Sequence, residues 1–233
     1  MFSFQFRGKD SYNDYGIVVE KRPIIPKPQR TIQYIEVPGR SGSLKIDDAT
    51  YKDIVIPIQC GFKDDNVADK ADEIKAWLDG GEGELILSNQ TDKYYLAHVS
   101  DQVDISQEFK VFGKFLVNFR CQPFKYAVVN DVIILTESGT VTNIGTMTSE
   151  PIIVVTGSGN ITLTINEVDI LLTAIDGYIT IDSVLKDAYK DTTLQNSKML
   201  GDFPVLQTGD NIISWSGSGS VTSIQITPNW RWL

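Results

Sequence analysis

The chain has 233 residues, of which 42% are hydrophobic and 22% are charged. This composition is ordinary for a folded protein, and the length suits two compact domains of about 100 residues each. No apolar run reaches the roughly 18 residues that a membrane-spanning helix needs. The first seven residues alternate aromatic and polar side chains, which predicts a strand and not a signal peptide. We therefore expect a protein that stays in the cytoplasm where it is made and does not bind a membrane.

The net charge of −9 is divided unevenly along the chain. Residues 1–130 carry 17 Lys and Arg against 19 Asp and Glu, whereas residues 131–233 carry 4 against 11. Binding to nucleic acid requires clustered basic side chains that neutralise phosphates. The second half is therefore expected to contact protein or sugar and not nucleic acid.

Strand patterns dominate the first half. Alternating, β-branched or aromatic runs bounded by turn residues predict strands at residues 31–37, 51–60, 84–88, 93–99 and 108–120. Between the second and third of these, apolar residues at Val67, Ala71, Ile74 and Leu78 share one helical face, which predicts an amphipathic helix over residues 66–78. Asp64, Asp65 or Asn66 can cap its start, and Gly80 with Gly81 can end it.

The second half is predicted to be a small antiparallel β-sandwich. Pro123 lacks a backbone donor, so the strand before it is expected to end there or to lie at an edge, and we place the domain boundary shortly after it. The domains are then residues 1–130 and 131–233. Three segments, at residues 137–144, 157–165 and 217–226, are each interpreted as a glycine turn that leads into a strand. The terminal strand, residues 224–233, either stays in this sandwich or returns to the first domain.

No catalytic, cofactor or metal site emerges from the residues. His98 is the single histidine, and no nucleophile motif accompanies it. Cys60 and Cys121 lie in apolar strands and are predicted to be buried free thiols. Asp47 and Asp48 are interpreted as turn residues, and the Gly-Ser-Gly segments lack the features of phosphate-binding loops. We therefore predict a protein that is not an enzyme.

Residues 21–30, called the strap below, contain the basic cluster of the chain. Three prolines keep the strap extended and present Lys21, Arg22, Lys27 and Arg30. The strap is interpreted either as a contact to a neighbouring subunit or as a solvated crossing loop. Arg40, which lies between Gly39 and Gly42 in a tight turn, is also predicted to point outward. These five basic residues are the candidate contacts between subunits.

Seven short segments occur in an order and at a spacing that resemble one known family. They are residues 12–19, the strap, residues 38–42 (PGRSG), the helix around Trp77, residues 122–126 (QPFKY), residues 201–206 (GDFPVL) and residues 209–213 (GDNII). Together they resemble the distal tail proteins of bacteriophages with long non-contractile tails. The resemblance covers nearly the whole chain.

This resemblance implies a structural hub of the virion. Six copies would form a ring at the tail tip, assembled in the host cytoplasm, around a channel that DNA crosses in transit. The second domain, implied to be galectin-like, would project outward. The implied partners are the major tail tube protein, a tail fibre or tip protein and a receptor-binding protein, although no arm-like insertion for clasping the last is visible.

A carbohydrate-binding module for host glycans is the alternative function. It is suggested by the sandwich and by Tyr178, Tyr189 and Trp215. Strand alternation places Trp215 on the same face as Ile213, which predicts that Trp215 points inward.

Overall fold

The chain forms two compact units in a computed structural model that describes residues 1–99 and 101–233. One unit comprises Met1–Val128 with Leu233, and the other comprises Val129–Trp232. Both are built mainly from antiparallel strands, and the first contains an α-helix. The predicted class, mainly β with one helix in the first half, is therefore confirmed. No helix within the described residues is long and apolar enough to cross a membrane.

Strands and one helix make up the first unit. In chain order they are β1 (Phe4–Phe6), β2 (Lys9–Asp10), β3 (Val18–Val19), β4 (Arg30–Ile35), β5 (Leu44–Tyr51), β6 (Ile54–Lys63), α1 (Val67–Leu78), β7 (Gly83–Leu87), β8 (Gln90–His98), β9 (Ile105–Phe109) and β10 (Phe112–Ala127). The main sheet has the order β2-β1-β7-β8-β10-β6-β3, and β9 pairs with β10. Strands β4 and β5 form a separate two-stranded sheet.

Helix α1 covers the inner face of the main sheet. Its buried residues are Val67, Ala71, Ile74, Trp77 and Leu78, as the apolar spacing predicts. The Trp77 ring lies 5.8 Å from Phe4 and 4.3 Å from Tyr15, and its indole nitrogen donates to the Phe6 carbonyl at 3.1 Å. Burial of this indole therefore fixes the helix on strand β1. Asn66 is the N-cap, because its side chain accepts from the Asp69 amide.

Three strand expectations in the first unit were wrong. Residues 51–60 do not form one strand, because β5 pairs with β4 whereas β6 pairs with β3 and β10. Residues 108–120 contain a hairpin turn between Phe109 and Phe112, made without the usual turn residues. Strand β10 also continues past Pro123 to Ala127. The register with β8 shifts between Cys121 and Lys125, so Pro123 lies in a bulge. A residue in a bulge does not have to donate a backbone N–H to the neighbouring strand, and proline has none to donate.

The second unit is almost entirely strand. Its elements are β11 (Ile133–Leu135), β12 (Gly139–Asn143), β13 (Ile152–Ile165), β14 (Val168–Asp182), β15 (Asp187–Lys190), β16 (Thr193–Leu194), a short 3-10 turn (Asn196–Lys198), β17 (Met199–Leu200), β18 (Gly209–Ser216), β19 (Ser220–Thr227) and β20 (Arg231–Trp232). The long strand β13 joins the sheet together, because it pairs with β14 along its length, with β19 in its first half and with β18 in its second half.

One face of this sheet supplies the core of the second unit. Alternate residues of β13, β14, β18 and β19 are buried there, among them Ile153, Val155, Leu163, Ile179, Ile181, Ile213, Ile224 and Ile226. No helix of the described residues covers this face. The sheet therefore has to fold over itself, as a sandwich does, to remove these side chains from water.

The two Gly-Ser-Gly segments play different parts. Residues 217–219 form the predicted turn between β18 and β19, but Gly157 and Gly159 lie inside β13, beside a register shift, and not in a hairpin turn. A Cβ atom on Gly157 would lie 2.1 Å from the Ser220 carbonyl oxygen, and one on Gly219 would lie 2.3 Å from that of Ser158. The glycines are therefore needed for close backbone contact and not for anion binding.

Asn211 explains why the segment 209–213 is distinctive. Its side chain is fully buried, and its amide nitrogen donates to the carbonyls of Val141, Gln207 and Gly209 at 2.9 to 3.2 Å. Its side-chain oxygen accepts from the Gln207 amide and from the Asn166 side chain, both at 2.7 Å. One side chain therefore joins β12, the loop before β18 and the turn after β13.

Replacing this residue is expected to destabilise the second unit selectively. Asn211→Ala removes the partner of several buried polar groups, and we expect a loss of about 3 kcal/mol in the free energy of unfolding. Pulsed hydrogen exchange in increasing urea, read by mass spectrometry, follows residues 129–232 separately from residues 1–128. The matched control is Asp210→Asn, an exposed neighbour, which should shift the midpoint little; equal shifts for both variants would contradict the role of Asn211.

Candidate assembly surface

The hairpin of β4 and β5 stands apart from the other sheets. Among the described residues, these two strands pair only with each other. Residues 36–43 connect them, and Gly39 and Gly42 have φ angles of 81° and 82°, which confirms the predicted turn. A two-stranded hairpin is at best marginally stable in water. Its order therefore depends on contacts beyond its own ladder.

One face of this hairpin is apolar and exposed. In the register, Ile35 lies opposite Leu44, and Gln33 lies opposite Ile46, so all four side chains share one face. Ile35, Leu44 and Ile46 are 43%, 42% and 40% exposed. We call these three residues with Gln33 the hairpin face. Tyr34, on the opposite face, is 66% exposed.

An ion pair joins the two strands at the base of the hairpin. The Arg30 Nε donates to Asp47 Oδ1 at 2.7 Å, and the guanidinium lies 5.7 Å from the centre of the Tyr51 ring. The hydrogen bond from Arg30 holds the pKa of the Asp47 carboxyl below its usual value. Asp47 and Asp48 are strand residues and not the predicted turn. Arg30, one of the five candidate contacts, is engaged within its own hairpin.

The outer face of the main sheet carries a second apolar surface. Val18, Val55 and Leu116 point away from the core on β3, β6 and β10, and they are 37%, 43% and 44% exposed. The strap crosses beside them, and its Ile24 is 73% exposed. Between strap and sheet lies an open groove of about 250 Å³, lined by Lys21, Arg22, Pro23, Ile24, Pro57, Gln59 and Leu116. We call it the strap groove.

Residues 14–121, which contain both surfaces, match the Sipho_tail family, described as a phage tail protein RIFT-related domain. The first unit therefore resembles a phage tail domain. The whole chain also has the fold of the Dit protein of phage SPP1, whose structure is titled a paradigm of the hub adsorption apparatus in phages that infect Gram-positive bacteria. The identity is 14%, the match covers 100% of both chains, and the TM-score is 0.79. A search of curated protein sequences gives no significant match.

These matches confirm the resemblance to distal tail proteins. They show the sequence of a phage tail domain over residues 14–121 and the Dit fold over the whole chain. The deciding signals in the sequence were turns and their order. The apolar residues of the hairpin face were not recognised, because a strand pattern does not tell whether a second layer covers it.

The candidate contact residues of this tail protein lie in separate places. Lys21 and Arg22 are exposed beside the strap groove. Lys27 is exposed further along the strap, and Arg40 is exposed at the hairpin turn. They do not form one basic cluster. Lys21 and Arg22 adjoin the strap groove, whereas Lys27 lines a different recess, beside Pro28 and Ile54.

The two cysteine side chains are shielded from solvent. Cys60 and Cys121 are free and buried, as predicted, and burial raises the pKa of each thiol to about 12. His98 is half-buried on β8, opposite Arg120 of β10. Within the described residues, no three His, Cys, Asp or Glu side chains come together as a metal site.

The aromatic residues suggested for sugar binding do not share one surface. Tyr178 and Tyr189 lie on the outer face of β14 and β15, and Tyr178 donates to Asp191 at 2.5 Å. Trp215 lies opposite the buried Leu163, on the inner face, and is half-buried. The three rings therefore cannot stack together on one glycan.

The two thiols are expected to resist alkylation in the folded protein. Thiolate is the reactive form, and pKa values near 12 leave almost none at pH 8. Iodoacetamide at pH 8 should therefore label neither Cys60 nor Cys121, as measured by intact mass. The same reagent in 6 M guanidinium should label both. Rapid labelling of the native protein would show that these strands open readily.

Proposed function

We propose that this tail protein is the hub at the distal end of the tail tube. Six copies form a ring through their first units, around the channel that DNA crosses, and the second units project outward. The major tail tube protein binds above, and a fibre or tip protein, with a receptor-binding protein, binds below. The protein assembles in the cytoplasm of the host. The fold shared with SPP1 Dit over the full chain supports this proposal.

The exposed hairpin face is the observation that carries the proposal. Ile35, Leu44 and Ile46 form a contiguous apolar patch on a ribbon with no second layer among the described residues. Such patches mark sites of protein contact. The first unit carries a second, unlike apolar patch on its main sheet, and contact between two unlike patches of identical chains produces a ring or a filament. In a closed ring, both patches of every copy are covered.

The charge of the second unit supports an outward position and protein partners. Residues 131–233 carry 4 basic and 11 acidic residues. Phosphate repels such a surface, so DNA passing along the axis gains no binding energy from it. The same residues leave exposed apolar side chains, among them Ile212, Leu200 and Leu194 at 66%, 70% and 65%, for contact with other tail proteins.

Assembly in solution is the first test of this proposal. The purified full chain has a mass of 25.9 kDa. Native mass spectrometry and light scattering over a range of concentrations should show a closed species of about six times this mass. Because a closed ring has no free contact surface, a series of still larger oligomers should not appear. A monomer at every concentration, or an open-ended series of masses, would contradict the ring.

The second test concerns DNA. With a net charge of −9, the full chain should not retard duplex DNA in a gel, even at low salt, where basic surfaces bind best. A basic DNA-binding protein of similar size serves as the positive control. Retention of duplex at 50 mM salt would show a binding surface that does not fit passage through the ring.

A further inference from the structure

Two apolar surfaces of the first unit differ in shape and in the charge beside them. The hairpin face is a ridge on a narrow ribbon, and the strap groove is a recess with Pro57 and Leu116 at its floor and Ile24 on its wall. A ridge and a recess on the same chain are complementary between two copies. The inference below rests on the proposed ring and names its contact.

Charge distinguishes the two surfaces further. Asp48 follows Ile46 by two residues on β5, close to the hairpin face and next to the register shift between Asp47 and Tyr51. It is exposed and forms no ion pair with any described residue, unlike its neighbour Asp47. Lys21 and Arg22 border the groove, are likewise exposed, and have no acidic partner in the described part of the chain. Asp48 thus offers the hairpin an acidic partner for the basic side chains beside the recess.

We infer that the hairpin face of one copy docks into the strap groove of the next copy in the ring. Leu44 and Ile46 pack on Leu116, Pro57 and Ile24, and Asp48 pairs with Lys21 or Arg22. The groove of about 250 Å³ has room for a large aliphatic side chain. Because a copy gives its hairpin to one neighbour and its groove to the other, the contact is heterologous and can close a ring.

The occupant is a second copy and not an unrelated protein, because both halves of the contact are present on one chain. An unrelated partner at either surface would leave the other exposed in every copy. Docking on the next copy covers both surfaces throughout the ring. It also explains how a two-stranded ribbon, marginal by itself, stays ordered.

Crosslinking of full-length cysteine variants tests this contact. The variant Ile46→Cys, Leu116→Cys is treated with a short bismaleimide and separated under denaturing conditions. Since native Cys60 and Cys121 are buried, they contribute little background. A heterologous contact predicts a ladder of crosslinked species that ends at the ring size. A mixture of the two single variants should give crosslinked dimers only, and each single variant alone should give none.

The matched control is Tyr34→Cys, Leu116→Cys, which places the thiol on the opposite face of the same hairpin. It should crosslink at least about tenfold less than the first double variant. Self-crosslinking of the single variant Ile46→Cys would overturn the inference, because it indicates a two-fold contact between hairpins.

The mass of the unmodified chain separates the two possible failures. An oligomer of about six copies without the ladder would refute this contact and leave the proposed ring standing. A chain that is monomeric at all concentrations would refute both. The ladder in an oligomeric preparation supports both.

Charge reversal gives an independent measurement. Asp48→Arg and Arg22→Glu should each weaken association by about fivefold per contact, because each places like charges together. The combined variant restores opposite charges and should regain most of the lost affinity, as measured by sedimentation. Lys27→Glu, further along the strap, is the control and should have little effect. Additive losses in the combined variant would show that the two residues do not meet.

Discussion

A β-sheet buries the side chains of one face only where a second layer covers that face, and this constraint governs the first unit. The main sheet meets the requirement by placing helix α1 over its inner face, with Trp77 at the centre of the contact. The hairpin of β4 and β5 has no such cover among the described residues. The folded chain therefore leaves part of its apolar surface exposed, and such patches mark sites of protein contact.

The two units differ in net charge. The first unit carries nearly balanced charge, and several of its basic residues are engaged internally, such as Arg30 with Asp47 and Lys114 with Glu20. The second unit is strongly acidic. Nearly balanced charge lets the surface of the first unit approach another protein closely, whereas the negative charge of the second unit disfavours contact with phosphate.

Local signals in the sequence were sufficient for much of the fold. The helix was predicted with its buried face, and its N-cap, Asn66, was one of three candidates. The turn at residues 38–43 followed from its two glycines. The errors arose where pairing partners decide the outcome. Residues 51–60 alternate without a turn signal, yet the chain leaves one sheet and enters another within them. Likewise, the sequence predicts that Gly157 is a turn residue, whereas the structure shows that it is needed because the Ser220 carbonyl of the neighbouring strand lies against its Cα. The candidate site was predicted only in part, since basic residues of the strap were identified but the apolar ridge and recess were not. Whether a strand face is exposed depends on the layer that packs against it, and the sequence of one strand does not show that layer.

The two buried thiols cannot reach each other in the folded chain. Cys60 lies opposite Phe115 on the neighbouring strand, six positions from Cys121, a separation of roughly 20 Å along the sheet. That distance is far beyond the reach of a disulfide. Disulfides form when a protein with accessible thiols moves from reducing to oxidising surroundings. With its two sulfur atoms distant from each other and closed to solvent, the folded chain can undergo that change without forming a disulfide between them.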